Sequence, residues 1–367
     1  MSQKRNFDAV VVGGGVIGLC SAWRAAERGA DVAIVERGDP GAGATRVAAG
    51  MLAPVGELSF GEPELLELTL AAAEAYPSFV AELEAAAGVE IGYKRLGALH
   101  VALDRDEAEQ LRRVHGLQRS LGLEAEWLPP RRCRELEPGL NPSFNGGVFA
   151  PREAAVDPRR ITTALLAALR SSGVDLLGGT TVQEGLFEGR RLTGVRTDSG
   201  TELSAASVVL ASGAWSGEAS WLPPAARPPV RPVKGQVLEL GAIGGPPPCE
   251  RILASERVYM VPRDDGRLIV GATVEERGFE TAVTAGGVHE LLREAYRLLP
   301  EVAEMELLGA IAGLRPGTPD NLPLVGPGEI EGLILATGHY RNGILLAPHT
   351  AEAVAGLLVG EPAGALR

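Results

Sequence analysis

Hydrophobic residues in the first 36 positions fall into two short runs separated by a turn and a longer segment. Apolar residues fill 9–12, glycines follow at 13–15 and 18, and a second apolar run at 32–35 ends at an acidic residue. Short apolar runs bounded by glycine are typical of buried strands, and two parallel strands need a crossover helix. The pattern therefore predicts strand, turn, helix and second strand over residues 8–36.

Later patterns extend this prediction along the chain. Helical spacing and capping residues predict helices over 62–87, from Asp104 to 120, from Asp157-Pro158 to 172, over 284–299 and over 344–359. Runs and alternations of apolar residues predict strands within 93–103, 174–181, 191–210, 206–213, 230–241, 257–274 and 333–337, with a hairpin turn at 263–267. The Pro-rich stretch 129–142 is expected to be loop with one short helix.

The order of these elements predicts an α/β fold with an interrupted nucleotide domain. Parallel α/β units occur at the start, middle and end of the chain, and antiparallel strands fill the gaps between them. We expect a discontinuous Rossmann-like domain and an inserted, mainly antiparallel substrate domain. The Rossmann-like domain is assigned 1–88, 146–224 and 312–367, and the substrate domain 89–145 and 225–311.

Composition narrows the class of protein. The 367 residues are 45% hydrophobic with a net charge of -12, which predicts a soluble globular protein and gives no basis for nucleic-acid or anionic-membrane binding. No apolar stretch reaches 18 residues, so no membrane span is expected. Cys20, Cys133 and Cys249 are scattered without metal-ligand spacing, which predicts no metal site and suits a reducing cytoplasm.

The glycine-rich turn has the spacing of a dinucleotide-binding fingerprint. Gly13 allows the tight turn out of the strand, Gly15 lets the backbone approach a pyrophosphate, and Gly18 lets the helix pack closely on the sheet. The helix N-terminus offers free N–H groups to phosphates. Glu36, 18 residues after Gly18, is placed to accept hydrogen bonds from ribose hydroxyls and disfavours the 2′-phosphate of NADP. The residues alone leave FAD and NAD open.

Five stretches together resemble the FAD-dependent D-amino acid oxidase superfamily, and within it most closely the glycine oxidases of thiamine biosynthesis. They are 11–18, Thr45–Met51, Arg257–Arg263, Ala312–Thr318 and Gly338–Leu345. The resemblance runs over essentially the whole chain and implies FAD as the cofactor. No cysteine lies near 313–318 or 336–343, so we expect FAD to be bound non-covalently.

The resemblance also implies which residues contact FAD. The turn at 48–50 would lie against the flavin ring, the backbone at Val182 against adenine, and the loop at 338–343 would direct a helix dipole at the flavin N1–C2=O edge. The implied cofactor residues are Gly13, Gly15, Val16, Ile17, Gly18, Glu36, Arg37, Ala44, Thr45, Ala49, Gly50, Met51, Val182, Gly213, His339, Tyr340, Arg341, Asn342, Gly343, Ile344 and Leu345.

Three residues are the candidates for substrate chemistry. A guanidinium can bind a carboxylate through two parallel hydrogen bonds, and the family resemblance assigns that role to Arg315. Tyr259 matches a tyrosine that contacts the same carboxylate, although a tyrosine in a strand, taken alone, is more often a core residue. Arg341 matches a second arginine whose role is electrostatic or structural, and His339 is not assigned as a base.

The implied reaction is oxidative deamination of glycine, with sarcosine, D-alanine and D-proline as further candidates. Hydride would pass to FAD, O2 would reoxidise it to hydrogen peroxide, and the imine would serve thiazole synthesis. Arg257 and Val274 differ from the glycine oxidase pocket, which leaves substrate preference open. The alternatives are a D-amino acid, proline or sarcosine oxidase, a quinone-linked dehydrogenase, an NAD-dependent dehydrogenase and a non-catalytic flavin- or nucleotide-binding protein. The resemblance further implies a homo-oligomer and thiazole synthase as a candidate partner.

Overall fold

The computed structural model describes residues 4–361. Its strands are β1 Lys4–Val12, β2 Val32–Val35, β3 Met51–Leu52, β4 Lys94–Arg95, β5 Ala98–Val101, β6 Glu126–Leu128, β7 Gly147–Ala150, β8 Ala154–Ala155, β9 Asp175–Leu177, β10 Val182–Glu188, β11 Arg191–Thr197, β12 Glu202–Leu210, β13 Arg231–Gly241, β14 Ile252–Ala254, β15 Tyr259–Pro262, β16 Arg267–Gly271, β17 Glu306–Gly317, β18 Leu324–Pro327 and β19 Leu333–Thr337. Its α-helices are α1 Val16–Glu27, α2 Ala44–Val47, α3 Pro63–Ala87, α4 Arg105–Ser120, α5 Pro130–Leu136, α6 Pro158–Ser171, α7 Ala285–Leu298 and α8 Gly343–Leu358. Short 3-10 helices span Gly213–Glu218, Pro224–Ala226 and Pro300–Glu304.

The first sheet has a parallel centre. Its order is β10-β11-β12-β1-β2-β9, with β19 also paired to β12 and β18 paired to β19. β1 lies parallel to β2 and β12, and β19 lies parallel to β12, whereas β10 and β11 form an antiparallel hairpin at one edge. Parallel strands present their carboxyl ends at one edge of the sheet, so the loops after Val12, Val35, Leu210 and Thr337 meet there.

The two faces of this sheet are covered differently. Ala9 and Val11 of β1 belong to a buried cluster that includes residues of α1, α3, α6 and α8. Val10 and Val12 point to the opposite face and pack in a second buried cluster with residues around Trp221. Alternate residues of a strand face opposite sides, so β1 is apolar on both and is buried at the centre of the domain.

The second sheet is almost entirely antiparallel. Its order is β17-β13-β16-β15-β14-β5-β7-β6, and the β14–β5 pair is parallel. On one face Leu238 of β13 packs in a core with Leu291 of α7. On the other face Val237 packs with Ala49 and Ile269 in a smaller cluster, which brings this face against the segment that follows α2. A third sheet, β3-β8-β4, also contains residues of that segment.

The fold class predicted from the sequence is confirmed, as are most of the elements. Asp104 and Asp157 are N-caps as predicted: their side chains accept from Glu107 N at 3.0 Å and from Arg159 N at 2.9 Å. The strand predicted over 174–181 is wrong in extent, because β9 ends at Leu177 before a turn containing Gly178 and Gly179.

Several strands have no counterpart in the prediction, above all the 12-residue β17. Its sequence mixes small residues with leucines and lacks the alternation by which a strand is predicted. The domain intervals remain a prediction. The predicted intervals assign β7 and the last part of β17 to the Rossmann-like domain. In the structure, β7 and the whole of β17 pair within the antiparallel sheet.

Candidate active site

The glycines of the turn between β1 and α1 differ in how closely other atoms of the protein approach them. A Cβ on Gly13, which has a φ of 119°, would lie 2.4 Å from Ala211 O, and a Cβ on Gly18 would lie 1.9 Å from Gly13 O. A Cβ on Gly15 would have Thr45 Oγ1, at 3.6 Å, as its nearest neighbour. Gly15 is also the N-cap of α1 and makes no side-chain cap. The helix N-terminus therefore faces space that suits a phosphate group.

Glu36 lies beside this turn, as the sequence predicts. Its carboxylate accepts from Gly14 N at 2.7 Å and from Gly38 N at 2.8 Å. The guanidinium of the exposed Arg37 lies 3.8 Å from the centre of the Trp215 ring. The end of β2 thus places an acid and a stacked arginine next to the predicted dinucleotide site.

The segment from Thr45 to Gly50 is fixed by contacts with α1, Val156 and Arg263. Thr45 Oγ1 accepts from Val16 N at 3.0 Å, which ties α2 to the start of α1. Gly50 has a φ of 71°, and a Cβ there would lie 2.1 Å from Val156 O. Ala49 O accepts from the guanidinium of Arg263. Gly50 is therefore required by close packing on Val156, in addition to any contact with a ligand.

The other residues assigned to this segment and its neighbours lie as follows. Ala44 begins α2, and Met51 begins β3 opposite Ala155. Ile17 is half-buried in α1. Val182 begins β10, where it pairs with Thr197. These placements agree with a cofactor that runs along the carboxyl edge of the first sheet, and the contacts themselves remain a prediction.

Gly213 lies beside the first turn although it is 200 residues away in sequence. It begins a 3-10 helix with a φ of 54°, and no atom lies within 4 Å of the position of a Cβ. The preceding Ser212 donates its hydroxyl to Val12 O at 3.0 Å. The end of β12 and the end of β1 therefore form one surface around the turn.

The loop before α8 is fixed by buried polar contacts. His339 is 2% exposed, its Nε2 lies 2.8 Å from Thr350 Oγ1, and burial lowers its pKa to about 3. Tyr340, at a φ of 46°, donates its backbone N–H to Pro316 O at 3.0 Å. The histidine is thus a neutral structural residue, and the loop is joined directly to the strand that contains Arg315.

The N-terminus of α8, like that of α1, has an N-cap residue that makes no side-chain cap. Asn342 is the N-cap residue, makes no side-chain cap, and donates its backbone N–H to His339 O at 2.9 Å. Gly343 begins the helix, and Ile344 and Leu345 are buried in the core beneath it. Free N–H groups at this position suit the partial negative charge of a reduced flavin edge.

Arg315 is positioned from behind by carbonyl groups. Its Nη1 donates to Thr273 O at 3.2 Å and to Lys234 O at 3.4 Å. A Cβ on Gly235 would lie 2.2 Å from the same nitrogen, so the guanidinium lies directly over that glycine. These contacts use only some of the five N–H donors of the guanidinium. The remaining donors can bind an incoming carboxylate.

Tyr259 lies on the same face of the second sheet. A Cβ on Gly271 would lie 2.4 Å from Tyr259 Oη, so the ring covers a glycine as Arg315 does. Burial raises the pKa of Tyr259, and the neighbouring Arg315 and Arg341 oppose that rise. The structure therefore brings the three predicted catalytic residues into one electrostatic group.

Glu57 belongs to this group and is not predicted from the sequence. Burial raises the pKa of its carboxyl, and Arg341 and Arg315 oppose the rise. Its loop is held by Glu153, whose Oε1 accepts from Val55 N at 2.9 Å and Gly56 N at 3.0 Å. No local pattern marks Glu57, because a partner 98 residues away fixes the loop.

Between residues 4 and 361, no cluster of His, Cys, Asp and Glu has the arrangement of a metal site, and no helix has the length and apolar character to cross a membrane. Cys20, Cys133 and Cys249 are all free and buried.

Comparison with known proteins identifies the family of this chain. The model for the family described as DAO, FAD dependent oxidoreductase, matches residues 8–357. A protein of Nostoc sp. named bifunctional protein ThiO/ThiG is 38% identical over 354 residues, which are 96% of this chain and 52% of that protein. The chain thus spans about half the length of the first curated relatives it matches.

Two further relatives match over most of their own length. The glycine oxidase of Geobacillus kaustophilus is 35% identical over 96% of this chain and 93% of that protein. The crystal structure of glycine oxidase from that organism superposes with a TM-score of 0.90 at 34% identity, over 99% of this chain and 96% of that chain. The hydrogen cyanide synthase subunit HcnC of Pseudomonas aeruginosa is 32% identical over 95% of this chain and 91% of that protein.

Proposed function

Because the chain belongs to the DAO family of FAD-dependent oxidoreductases, we propose that it oxidises glycine and similarly small amines, among them sarcosine, D-alanine and D-proline. The single observation behind this proposal is the placement of Arg315 and Tyr259 side by side over two glycines of the second sheet. A guanidinium and a phenol so placed bind the carboxylate of an amino acid. Relatives that bear the name glycine oxidase support the choice of substrate.

The charges around Arg315 favour one carboxylate. Arg315 and Arg341 are two cations, and Glu57 is an anion that interacts with both. Glu62 is a second acid close to Glu57 and Arg341, so acids partly balance the two arginines before a substrate binds. Arg315 and Arg341 attract the carboxylate of the substrate, and a small amino acid presents one such group.

The residues around the first sheet fit FAD. Neither Gly15 nor Asn342, the N-cap residues of α1 and α8, makes a side-chain cap, and a Cβ on Gly15 would have only Thr45 Oγ1, at 3.6 Å, as a neighbour. The first suits the pyrophosphate, the second suits the flavin edge, and Glu36, which lies beside the first, suits the adenosine ribose. Bound there, FAD would supply the hydride acceptor, and O2 would be the final oxidant that is reduced to hydrogen peroxide.

Positioning takes the place of acid–base chemistry in this proposal. His339 is buried, neutral and bonded to Thr350, so it does not act as a base. Arg315 and Tyr259 hold the carboxylate, which fixes the α-carbon relative to the cofactor, and the amine reacts in its neutral form. Glycine, O2 and water then give glyoxylate, ammonia and hydrogen peroxide through the imine.

The same relatives suggest a place for the product. Proteins named bifunctional ThiO/ThiG match this chain over about half of their length. We propose that the imine formed here serves thiamine thiazole synthesis, with thiazole synthase as a partner, in the cytoplasm and in a homo-oligomer. Co-purification with a thiazole synthase and size-exclusion measurements test these points.

The decisive experiment is anaerobic. Glycine, sarcosine, D-alanine and D-proline are added separately to the purified yellow protein, flavin absorbance is followed, and air is then admitted. Rapid bleaching by glycine, with recolouring and peroxide in air, supports the proposal. Bleaching only by a bulkier amino acid would indicate another oxidase of the family. Bleaching without recolouring in air would indicate a quinone-linked dehydrogenase. No bleaching with any amine favours a non-catalytic flavin protein.

Two simple assays accompany this experiment. Because a relative at 32% identity is named a hydrogen cyanide synthase subunit, cyanide should be measured beside glyoxylate. Acid precipitation should release the flavin into the supernatant, as expected for non-covalent FAD. A yellow pellet would contradict non-covalent binding.

A further inference from the structure

The carbonyl groups that hold Arg315 belong to two different pieces of chain. Lys234 O lies on β13, and Thr273 O lies on the connection between β16 and α7, residues 272–284, which we call the 272–284 segment. The position of the guanidinium therefore depends on how this segment is fixed against β13. A displacement of either carbonyl would change the direction in which the remaining donors point.

The backbone of the segment continues the sheet for a short distance. Lys234 N donates to Glu275 O at 2.9 Å, and Glu275 N donates to Lys234 O at 2.9 Å. Gln236 N donates to Thr273 Oγ1 at 2.9 Å, and Thr273 N donates to Gln236 O at 3.3 Å. The two acceptors of Arg315 are thus linked to each other through these hydrogen bonds.

Side chains on the opposite face of β13 reinforce the link. Glu275 Oε1 accepts from Thr273 Oγ1 at 2.6 Å and from Gln236 Nε2 at 2.7 Å. The Lys234 side chain is 1% exposed, and its Nζ lies 3.5 Å from Glu275 Oε2 and 3.9 Å from Glu280 Oε1. Burial would raise the pKa of Glu275, but Thr273, Gln236 and Lys234 together hold it below its ordinary value.

A buried ammonium in this position is unusual. Lysine is almost never fully buried unless it is paired, because removing its charge from water is costly. Within residues 4–361 the Lys234 ammonium has these two carboxylates close by but makes no hydrogen bond of its own. The Lys234 ammonium therefore acts on Glu275 through its charge. Because alternate residues of a strand face opposite sides, the Lys234 side chain lies on the face of β13 opposite to Gly235 and Arg315.

We propose that Lys234 and Glu275 are positioning residues that hold the 272–284 segment so that Thr273 O and Lys234 O aim the Arg315 guanidinium at the substrate carboxylate. Neither residue touches the substrate in this arrangement. The inference rests on the proposed role of Arg315 as the carboxylate clamp. A binding group has high affinity when supporting contacts hold it within a fraction of an ångström of the position that the ligand requires.

The test compares two ligands of the folded holoenzyme. Acetate probes the carboxylate clamp and sulfite probes the flavin; both are followed by changes in flavin absorbance. We expect Lys234→Met to weaken acetate binding and raise the KM for glycine by about tenfold or more, the loss that follows when a hydrogen bond to a charged group is misaligned. Sulfite affinity and flavin content should remain those of the wild type.

Matched variants separate positioning from general damage. Lys234→Arg keeps the charge and should restore most of the acetate affinity. Lys94→Met makes the same substitution at an exposed lysine and should leave both affinities unchanged. Glu275→Gln removes the partner charge from a partly exposed residue. It should reproduce the acetate defect, and it serves as the test should Lys234→Met fail to fold.

Each failure has its own signature. If wild type and Arg315→Met bind acetate equally, the proposed clamp is wrong. If Arg315→Met loses acetate but the Lys234→Met and Glu275→Gln variants bind it as wild type does, the clamp stands and the positioning role is overturned. Equal losses of acetate and sulfite affinity would also overturn it, because they indicate general disorder of the site.

Discussion

Gly235 provides the space in which the guanidinium of Arg315 lies. A Cβ at this position would be 2.2 Å from Nη1 and 2.6 Å from Cζ. The glycine is on β13 and pairs with Gly313 of β17, two residues before Arg315. Two small residues at neighbouring positions thus let the arginine fold back over its own sheet.

Replacing Gly235 by alanine should therefore displace the clamp. We expect Gly235→Ala to raise the KM for glycine by about tenfold or more, since a bidentate charged contact is worth roughly 1.5–3 kcal/mol. Flavin content should stay at the wild-type level. Steady-state kinetics and the ratio of flavin to protein absorbance are the measurements.

The control lies on β17. No atom lies within 4 Å of a Cβ built on Gly309, so Gly309→Ala makes the same chemical change without a contact. Its KM should equal that of the wild type. A normal KM in Gly235→Ala would contradict the assigned position of Arg315.

Gly15 should matter for the cofactor and little for the fold. A Cβ there meets only Thr45 Oγ1, at 3.6 Å, so the protein itself has room for alanine. The proposed pyrophosphate site has no such room, because its backbone must approach the phosphates. We expect the apoprotein of Gly15→Ala to unfold at the wild-type urea concentration and to bind FAD about tenfold more weakly or worse.

Titration of apoprotein with FAD, followed by flavin fluorescence, measures this affinity. Gly116→Ala is the control, because Gly116 lies in α4 and has no atom within 4 Å of its Cβ position. Equal FAD affinity in Gly15→Ala and the wild type would argue against phosphate binding at this turn.

Most of the proposed cofactor site could be predicted from the sequence, because its residues are close to one another along the chain. Gly13, Gly15 and Gly18 belong to one strand–turn–helix unit, and Glu36 follows at the end of the next strand. Their spacing predicts their placement, and the structure puts the Glu36 carboxylate 2.7 Å from Gly14 N.

The substrate side depends on contacts between distant segments. Glu57 is placed by Glu153, and Lys234 by Glu275, through pairs that no local periodicity reveals. β17 is likewise formed by pairing with β13 along its length, although its own sequence lacks strand alternation. Tertiary pairing overrides weak local preference at these positions.

The cysteines should be unreactive in the folded protein. Burial raises the pKa of Cys20 to about 12 and that of Cys133 to about 11, and it raises the pKa of Cys249 as well. Because the thiolate is the reactive form, we expect no reaction with an aromatic disulfide reagent at pH 8, and reaction of all three thiols in urea. A thiol that reacts within seconds in the native protein would contradict the buried placement.

Glu153 should make the stability of the protein depend on pH. Burial raises the pKa of its carboxyl from 4.5 to about 8, so folding favours the protonated form. Below pH 4.5 the carboxyl is protonated in both the folded and the unfolded protein, so it does not affect stability. Between pH 4.5 and 8 the unfolded protein ionises it more readily, so the free energy of unfolding falls as the pH rises. Above pH 8 this loss is complete. Glu153→Gln keeps an oxygen to accept from Val55 N and Gly56 N, and it does not ionise.

The difference in unfolding free energy between Glu153→Gln and the wild type should therefore increase, in favour of the variant, as the pH rises. The gain is at most about 1.4 kcal/mol per pH unit between the two pKa values, and it should level off above pH 8. Urea denaturation of both proteins at one-unit steps from pH 5 to pH 9 measures the difference. An equal difference at pH 5 and pH 8 would show that Glu153 is already ionised in the folded protein at pH 5. The loop that bears Glu57 would then be held by a charged carboxylate instead of a neutral one.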